Sequence, residues 1–191
     1  MSLIFYYAPW SSATTCLWAL EELGVPHERV KLDLKAKDTK KPEYLKLNPN
    51  GLVPLIVQDG VPIYESIAIL AHLGETYGVE KKLFPAPGIT RAQAFQWLAW
   101  ANVTFGAAVG RYMGSTTKDK AEVEKLLAIL DAGLAGRTWL VGDTFTLVDV
   151  HLAGAIGWSS SLGFDMKSFT NIESWMTKCK ARPGYAVAMG G

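Results

Sequence analysis

Cysteine is scarce in this sequence: 191 residues carry two, Cys16 and Cys179. Their separation matches no zinc or dithiol spacing, and so few thiols suit a reducing compartment. The three histidines, His27, His72 and His151, are dispersed. That excludes a histidine metal cluster or a local Ser-His relay, and no metal is expected. No glycine-rich phosphate loop occurs. No sign of charge dominates either, with 19 Lys and Arg against 18 Asp and Glu and a net charge of +1. Neither nucleic acid nor an anionic membrane surface is therefore expected as a partner. No run reaches the ~18 consecutive apolar residues of a membrane-spanning helix. The opening MSLIFYYAPW lacks a basic region and has too short an apolar run for a signal peptide, so a cytoplasmic location is expected. There are no internal repeats and no low-complexity tracts.

What is present is a 49% hydrophobic chain, enough for a real core. The first part alternates strand and helix signals. Leu3 to Tyr7 is β-prone; Cys16, Leu20 and Leu23 then recur on one helical face that ends at Gly24. His27 to Leu32 alternates as a strand, and Pro42 to Leu47 predicts a short helix. Leu55 to Gln58 and Val61 to Tyr64 flank Asp59-Gly60, a two-residue hairpin signal. A helix from Ser66 to about Tyr77 follows. The order βαβαββα predicts a thioredoxin-like domain over residues 1–78. Proline and glycine then mark a linker at 79–88. Residues 89–191 read as an all-helical domain, with capping-box spacing at Thr90/Gln93 and again at Thr146/Asp149. The last helix is predicted over Asn171 to Arg182, stopped by Pro183-Gly184.

The stretch NPNGLVPLIVQDGVPIYES, residues 48 to 66, runs from the loop before the third strand to the start of the third helix. Pro54 stands at a strand entrance, where a cis Val53–Pro54 bond would account for it. Val53 would then offer its backbone to an extended peptide. Glu65-Ser66 stands where helical N–H groups attract a carboxylate, while Glu65 can accept from an ammonium group. A carboxylate and an ammonium side by side describe the γ-glutamyl end of glutathione. Strand entry and helix capping are the plainer readings of the same pairs.

On these residues the chain resembles the cytosolic glutathione transferase family, serine- or cysteine-type and bacterial-like. The opening YYAPWSS, the run GDTFTLVDVHLA and the closing IESWMTKCKARP extend the resemblance over nearly the whole chain. It implies that Val53-Pro54 anchors the cysteinyl backbone and that Glu65-Ser66 holds the γ-glutamyl group. It also implies a homodimer that takes glutathione as cosubstrate and a small hydrophobic electrophile as its second partner. The expected activity is glutathione transfer. The alternatives are glutathione-dependent isomerisation or peroxide reduction, and a non-catalytic binding module of the same fold.

Conjugation needs a thiolate, and a free thiol titrates at about 8.5. A hydroxyl near the first helix can stabilise it. By resemblance the activator falls on Ser11, with Ser12 at the place of cysteine-type members and Tyr6 at that of tyrosine-type ones. Both serines also suit helix capping. Cys16 is expected to be buried packing. Two residues depart from the family pattern: Trp10, where glycine is common, and Leu52, where a polar side chain is common. Leu52 can offer only its backbone, so the glycyl carboxylate is expected to rely on Lys41 or Lys40, with Lys35 behind them. The electrophile is expected against the long helix after the linker. Trp10 and Asn102 are the candidates, and Trp97, Trp100, Arg111 and Tyr112 are further possibilities.

Overall fold

The computed structural model describes residues 2–190. The chain divides into two compact units: residues up to Tyr77 together with those from Pro183 onward, and Gly78–Arg182.

The first unit is a four-stranded sheet with helices, a thioredoxin-like arrangement. Its elements are β1 (Leu3–Tyr7), α1 (Ala13–Leu23), β2 (Glu28–Lys31), α2 (Pro42–Leu45), β3 (Leu55–Gln58), β4 (Val61–Tyr64) and α3 (Ser66–Leu73). The strand order is β2-β1-β3-β4. β1 pairs parallel with β2 and antiparallel with β3, and β3 pairs antiparallel with β4. Asp59 and Gly60 both take positive φ (49° and 85°), as a two-residue turn in a right-twisted hairpin requires. Pro62 lies on the edge strand β4, where a missing N–H is tolerated. Phe5, Leu55 and Ile56 from the sheet and Cys16, Leu20, Ile69 and Leu73 from the helices are buried. Gly24 closes α1 in the left-handed conformation, φ 59°.

The unit is completed by α9 (Pro183–Met189), which packs on α1. Pro183-Gly184 therefore opens a helix instead of only stopping one: proline is suited to a first helical turn. Trp18 meets Tyr185 edge to face at 5.1 Å, and the Gly184 N–H donates to Glu22 at 3.3 Å. A Cβ on Gly184 would lie 2.8 Å from the Trp18 ring, so the close approach needs glycine.

The second unit is all helical: α4 (Ile89–Ala99), α5 (Ala107–Gly114), α6 (Ala121–Leu134), α7 (Leu147–Ser161) and α8 (Thr170–Lys180). α4 and α5 are joined without a break by a π-helical segment, Trp100–Gly106. Helix α4 starts at Ile89 behind Gly88, without a side-chain cap, so Thr90 lies inside the first turn and does not act as the cap its spacing suggests. The Thr146/Asp149 capping box is formed: Val148 N–H donates to Thr146 at 3.3 Å, and Thr146 N–H donates to Asp149 at 2.9 Å. No helix among the described residues is long and apolar enough to cross a membrane.

Candidate functional site

Strand register gathers the site. Tyr6 on β1 pairs with Leu55 on β3, and Leu55 pairs with Tyr64 on β4. The residues just beyond this row therefore emerge at one end of the sheet: the turn after Tyr7, the loop ending at Pro54, and Glu65. The N-termini of α1 and α3 begin at that same end, each presenting a positive dipole end.

The Val53–Pro54 bond is cis, as its position suggested. Pro54 is buried, Val53 half-buried and Leu52 exposed. The loop before them is braced from below. The Tyr44 hydroxyl and the Asn48 amide both donate to the Leu52 carbonyl, at 2.6 and 2.8 Å. Asn48 in turn accepts from the Asn50 N–H at 3.1 Å. Burial pushes the Tyr44 hydroxyl up to about 12, so it stays a donor at neutral pH. Lys40 adds a third brace, its Nζ donating to the Gly51 carbonyl at 2.8 Å and the Asn50 carbonyl at 3.3 Å.

Glu65 is exposed and takes φ 72°, ψ 120°, an unfavourable conformation for a residue with a Cβ. Such a conformation costs on the order of 1–3 kcal/mol and is held by its surroundings. Its carbonyl accepts from Ile69 N–H at 3.0 Å, so Glu65 sits directly at the head of α3. Ser66, the first helical residue, is buried, and its carbonyl faces the Cys16 thiol at 4.0 Å. Cys16 is itself fully buried and its thiol is pushed up to about 12 by that burial, so it packs and does not act as a nucleophile.

The two serines divide their roles. Ser11 is half-buried; its hydroxyl donates to the Ala8 carbonyl at 2.7 Å and accepts from Ala13 N–H at 3.2 Å. That is a capping pattern, and it occupies the Ser11 proton. Ser12 is exposed, makes no side-chain cap, and donates to the Val53 carbonyl at 3.2 Å. Ser12 thus joins the head of α1 to the cis-proline loop. Tyr6 is half-buried, its ring edge-on to Tyr44 at 5.9 Å. Trp10 is 84% exposed with φ 58°.

Two of the three candidate lysines hold partners within the first unit. Lys41 is no free cation: its Nζ lies 2.8 Å from Asp38, one helical turn earlier, and that carboxylate raises the lysine pKa. Lys40 is taken up by the loop carbonyls above. Lys35 is exposed. Asn102 belongs to the second unit, in the π-helical segment, where its side-chain oxygen accepts from His151 Nε2 at 2.8 Å. Of the further possibilities there, Arg111 pairs with Glu122 and Trp97 stacks edge-on with Trp100 at 5.2 Å. Tyr44 and Asn48, which hold the loop, did not stand out in the sequence. Asn48 opens an N-P-N-G turn, and Tyr44 lies one helical turn before it, which is the signal that could have found the pair.

A thioredoxin-like unit with a cis-proline loop and a carboxylate at a helix head, followed by a helical unit, defines a recognisable class. The Glutathione S-transferase, N-terminal domain model matches residues 1–75, and the Glutathione S-transferase, C-terminal domain model matches residues 105–183. The chain is 33% identical over 182 residues to Glutathione S-transferase GstB of Escherichia coli K12, covering 87% of each protein. Among solved structures it is similar to a sphingomonad glutathione S-transferase complexed with glutathione, at TM-score 0.87 and 28% identity, covering 98% of this chain and 97% of that one. It is also similar to a Nilaparvata lugens delta-class glutathione transferase, at TM-score 0.89 and 30% identity, covering 97% of this chain and 92% of that one. The chain belongs to the glutathione S-transferase family.

Proposed function

We propose that this protein is a glutathione transferase, which activates the thiol of glutathione for attack on a small hydrophobic electrophile. The observation that carries the reading is Glu65, exposed and strained at the head of α3, one end-of-strand row from the braced Val53-Pro54 loop. An exposed carboxylate beside helical N–H groups suits an amino acid head group, ammonium to Glu65 and carboxylate to the helix end at Ser66. The Val53 backbone takes the cysteinyl part as an added strand would. The sphingomonad relative, solved with glutathione, supports the same ligand.

Between the serines, the hydroxyl bonds favour Ser12 as the thiolate donor. Ser11 would have to give up a short 2.7 Å donated bond while its oxygen is held by the Ala13 N–H, whereas Ser12 gives up one exposed bond of 3.2 Å. In the reaction the thiolate sulfur forms a bond to the electrophilic carbon, the leaving group departs with the bond electrons, and the thiol proton passes to solvent. A cytoplasmic homodimer belongs to the proposal. Two buried cysteines outside any disulfide suit a reducing compartment, and exposed Phe95 and Val103 two turns apart on the α4–α5 helix suit a partner face.

The test is twofold. Glutathione should raise the melting temperature, and Glu65→Ala should abolish the shift. With 1-chloro-2,4-dinitrobenzene at pH 6.5, Ser12→Ala should lose about ten- to a hundredfold in kcat, as one to two units of lost thiol acidity imply. The loss should shrink toward pH 9, where the thiolate forms unaided. Ser11→Ala should instead cost about 1 kcal/mol of stability, the value of a cap. No shift and no turnover would overturn the reading.

A further inference from the structure

We propose that Trp10 determines acceptor specificity: its indole provides a flat apolar face beside the reacting thiol, which selects planar aromatic electrophiles over small aliphatic ones. The inference rests on the glutathione transferase reading. Two independent observations meet at this residue. The side chain is 84% exposed, more than Ile89 at 80% or Val103 at 72%, so folding draws almost nothing from the largest apolar side chain. The backbone is in the left-handed region, φ 58°, which penalises any residue with a Cβ and which glycine adopts freely. A glycine would make this turn at lower cost. The tryptophan is disfavoured by its backbone and uncompensated by burial, so its ring is available to something outside the fold.

Its place says what. Trp10 directly precedes Ser11 and Ser12, and the Ser12 hydroxyl reaches the Val53 carbonyl at 3.2 Å. The indole is thus carried on the loop that holds the proposed thiolate donor, across from the loop that receives the cysteinyl backbone. Leu52, preceding Val53, is 60% exposed and adds a second apolar group on that facing loop. Electron-poor rings stack on an indole face in offset or edge-on geometry, gaining beyond their buried area. A methyl group has no ring to stack and covers little of that face.

Product analogues test this without relying on turnover. S-(2,4-dinitrophenyl)glutathione and S-methylglutathione are titrated calorimetrically into wild type, Trp10→Gly and Trp10→Phe. Wild type should bind the dinitrophenyl conjugate about tenfold tighter or better, a ratio that stacking alone supports. Trp10→Gly should collapse that ratio about tenfold, and Trp10→Phe should retain most of it. The Trp10→Gly melting temperature should equal or exceed that of wild type, because glycine relieves the left-handed backbone. An equal loss of affinity for both conjugates, an unchanged ratio, or a lowered melting temperature would overturn the proposal. So would a loss of oligomeric state at an unchanged ratio, which would make the ring an interface contact. If wild type bound neither conjugate nor glutathione, the transferase reading would fall and this inference with it.

Discussion

At the scale of single residues, Asp149 shows how much one buried carboxylate can organise. It is fully buried in the second unit and receives four hydrogen bonds. One oxygen accepts from Leu140 N–H at 3.0 Å and from the Trp175 indole at 2.8 Å; the other accepts from the Thr146 N–H and hydroxyl at 2.9 and 3.2 Å. Burial pushes its carboxyl up from the ordinary value, against the pull of those donors. Asp149→Asn keeps the size but turns one acceptor oxygen into an NH2 group facing two donors. The expected cost is about 1–3 kcal/mol, seen as a lowered urea midpoint with an unchanged slope. The three-residue spacing of Thr146 and Asp149 makes the capping box readable from sequence. The bonds to Leu140 and Trp175 are not readable, because separations of 9 and 26 residues follow no local rule. The same limit governs the serines. Their adjacency to α1 is plain in the sequence, but which hydroxyl caps and which faces Val53 depends on a loop 41 residues away.

At the scale of elements, the loop from Asn48 to Pro54 is the piece on which the proposed glutathione site depends most. Its sequence announced a turn and the cis bond, since N-P-N-G and a strand-entry proline are local signals. Its bracing comes from elsewhere: Tyr44 on α2 and Lys40 in the short 3-10 turn Asp38–Lys40, which carries no local sequence signal of its own. Gly51 is the weak point. It takes φ 60°, and a Cβ there would lie 2.9 Å from the Thr39 carbonyl and 2.7 Å from Lys40 Nζ. Lysine can swing aside; the backbone carbonyl cannot without moving the turn. Gly51→Ala should therefore cost about 1–2 kcal/mol from the left-handed backbone and the contact together. It should also weaken glutathione binding several-fold, with KM rising more than kcat falls, because the displaced loop carries Val53. An unaltered KM at reduced stability would mean that the brace serves folding alone. Helix α9 makes a related point. Proline and glycine read as a stop, yet they begin a helix because Gly184 lets the chain approach Trp18 closely, a condition set by tertiary packing.

At the scale of the whole molecule, most of the chain's architecture follows from local patterning, and one buried histidine contributes to its response to acid. His151 is buried in the second unit, and burial pulls its pKa down from 6.5 to about 4. Its Nε2 donates to the Asn102 oxygen, which can only accept, so the folded state holds the neutral imidazole with the proton on Nε2. Unfolding returns the ring to water and to its ordinary pKa. Because the folded pKa is the lower one, the unfolded chain binds more protons between pH 6.5 and 4. Stability is therefore complete above about pH 6.5 and falls as the pH drops toward 4, by up to about 3 kcal/mol in all. Between pH 7.5 and 5.5, a range above most carboxylate titration, the loss from this residue alone comes to about 1.3 kcal/mol. Urea midpoints measured across that range should fall accordingly. In His151→Gln, which can still donate to Asn102 but cannot titrate, they should stay level. If the wild-type midpoint held constant from pH 7.5 to 5.5, His151 would have to reach water in the folded chain. The Asn102–His151 bond would then face an opening in the second unit and would no longer be a satisfied pair in its interior.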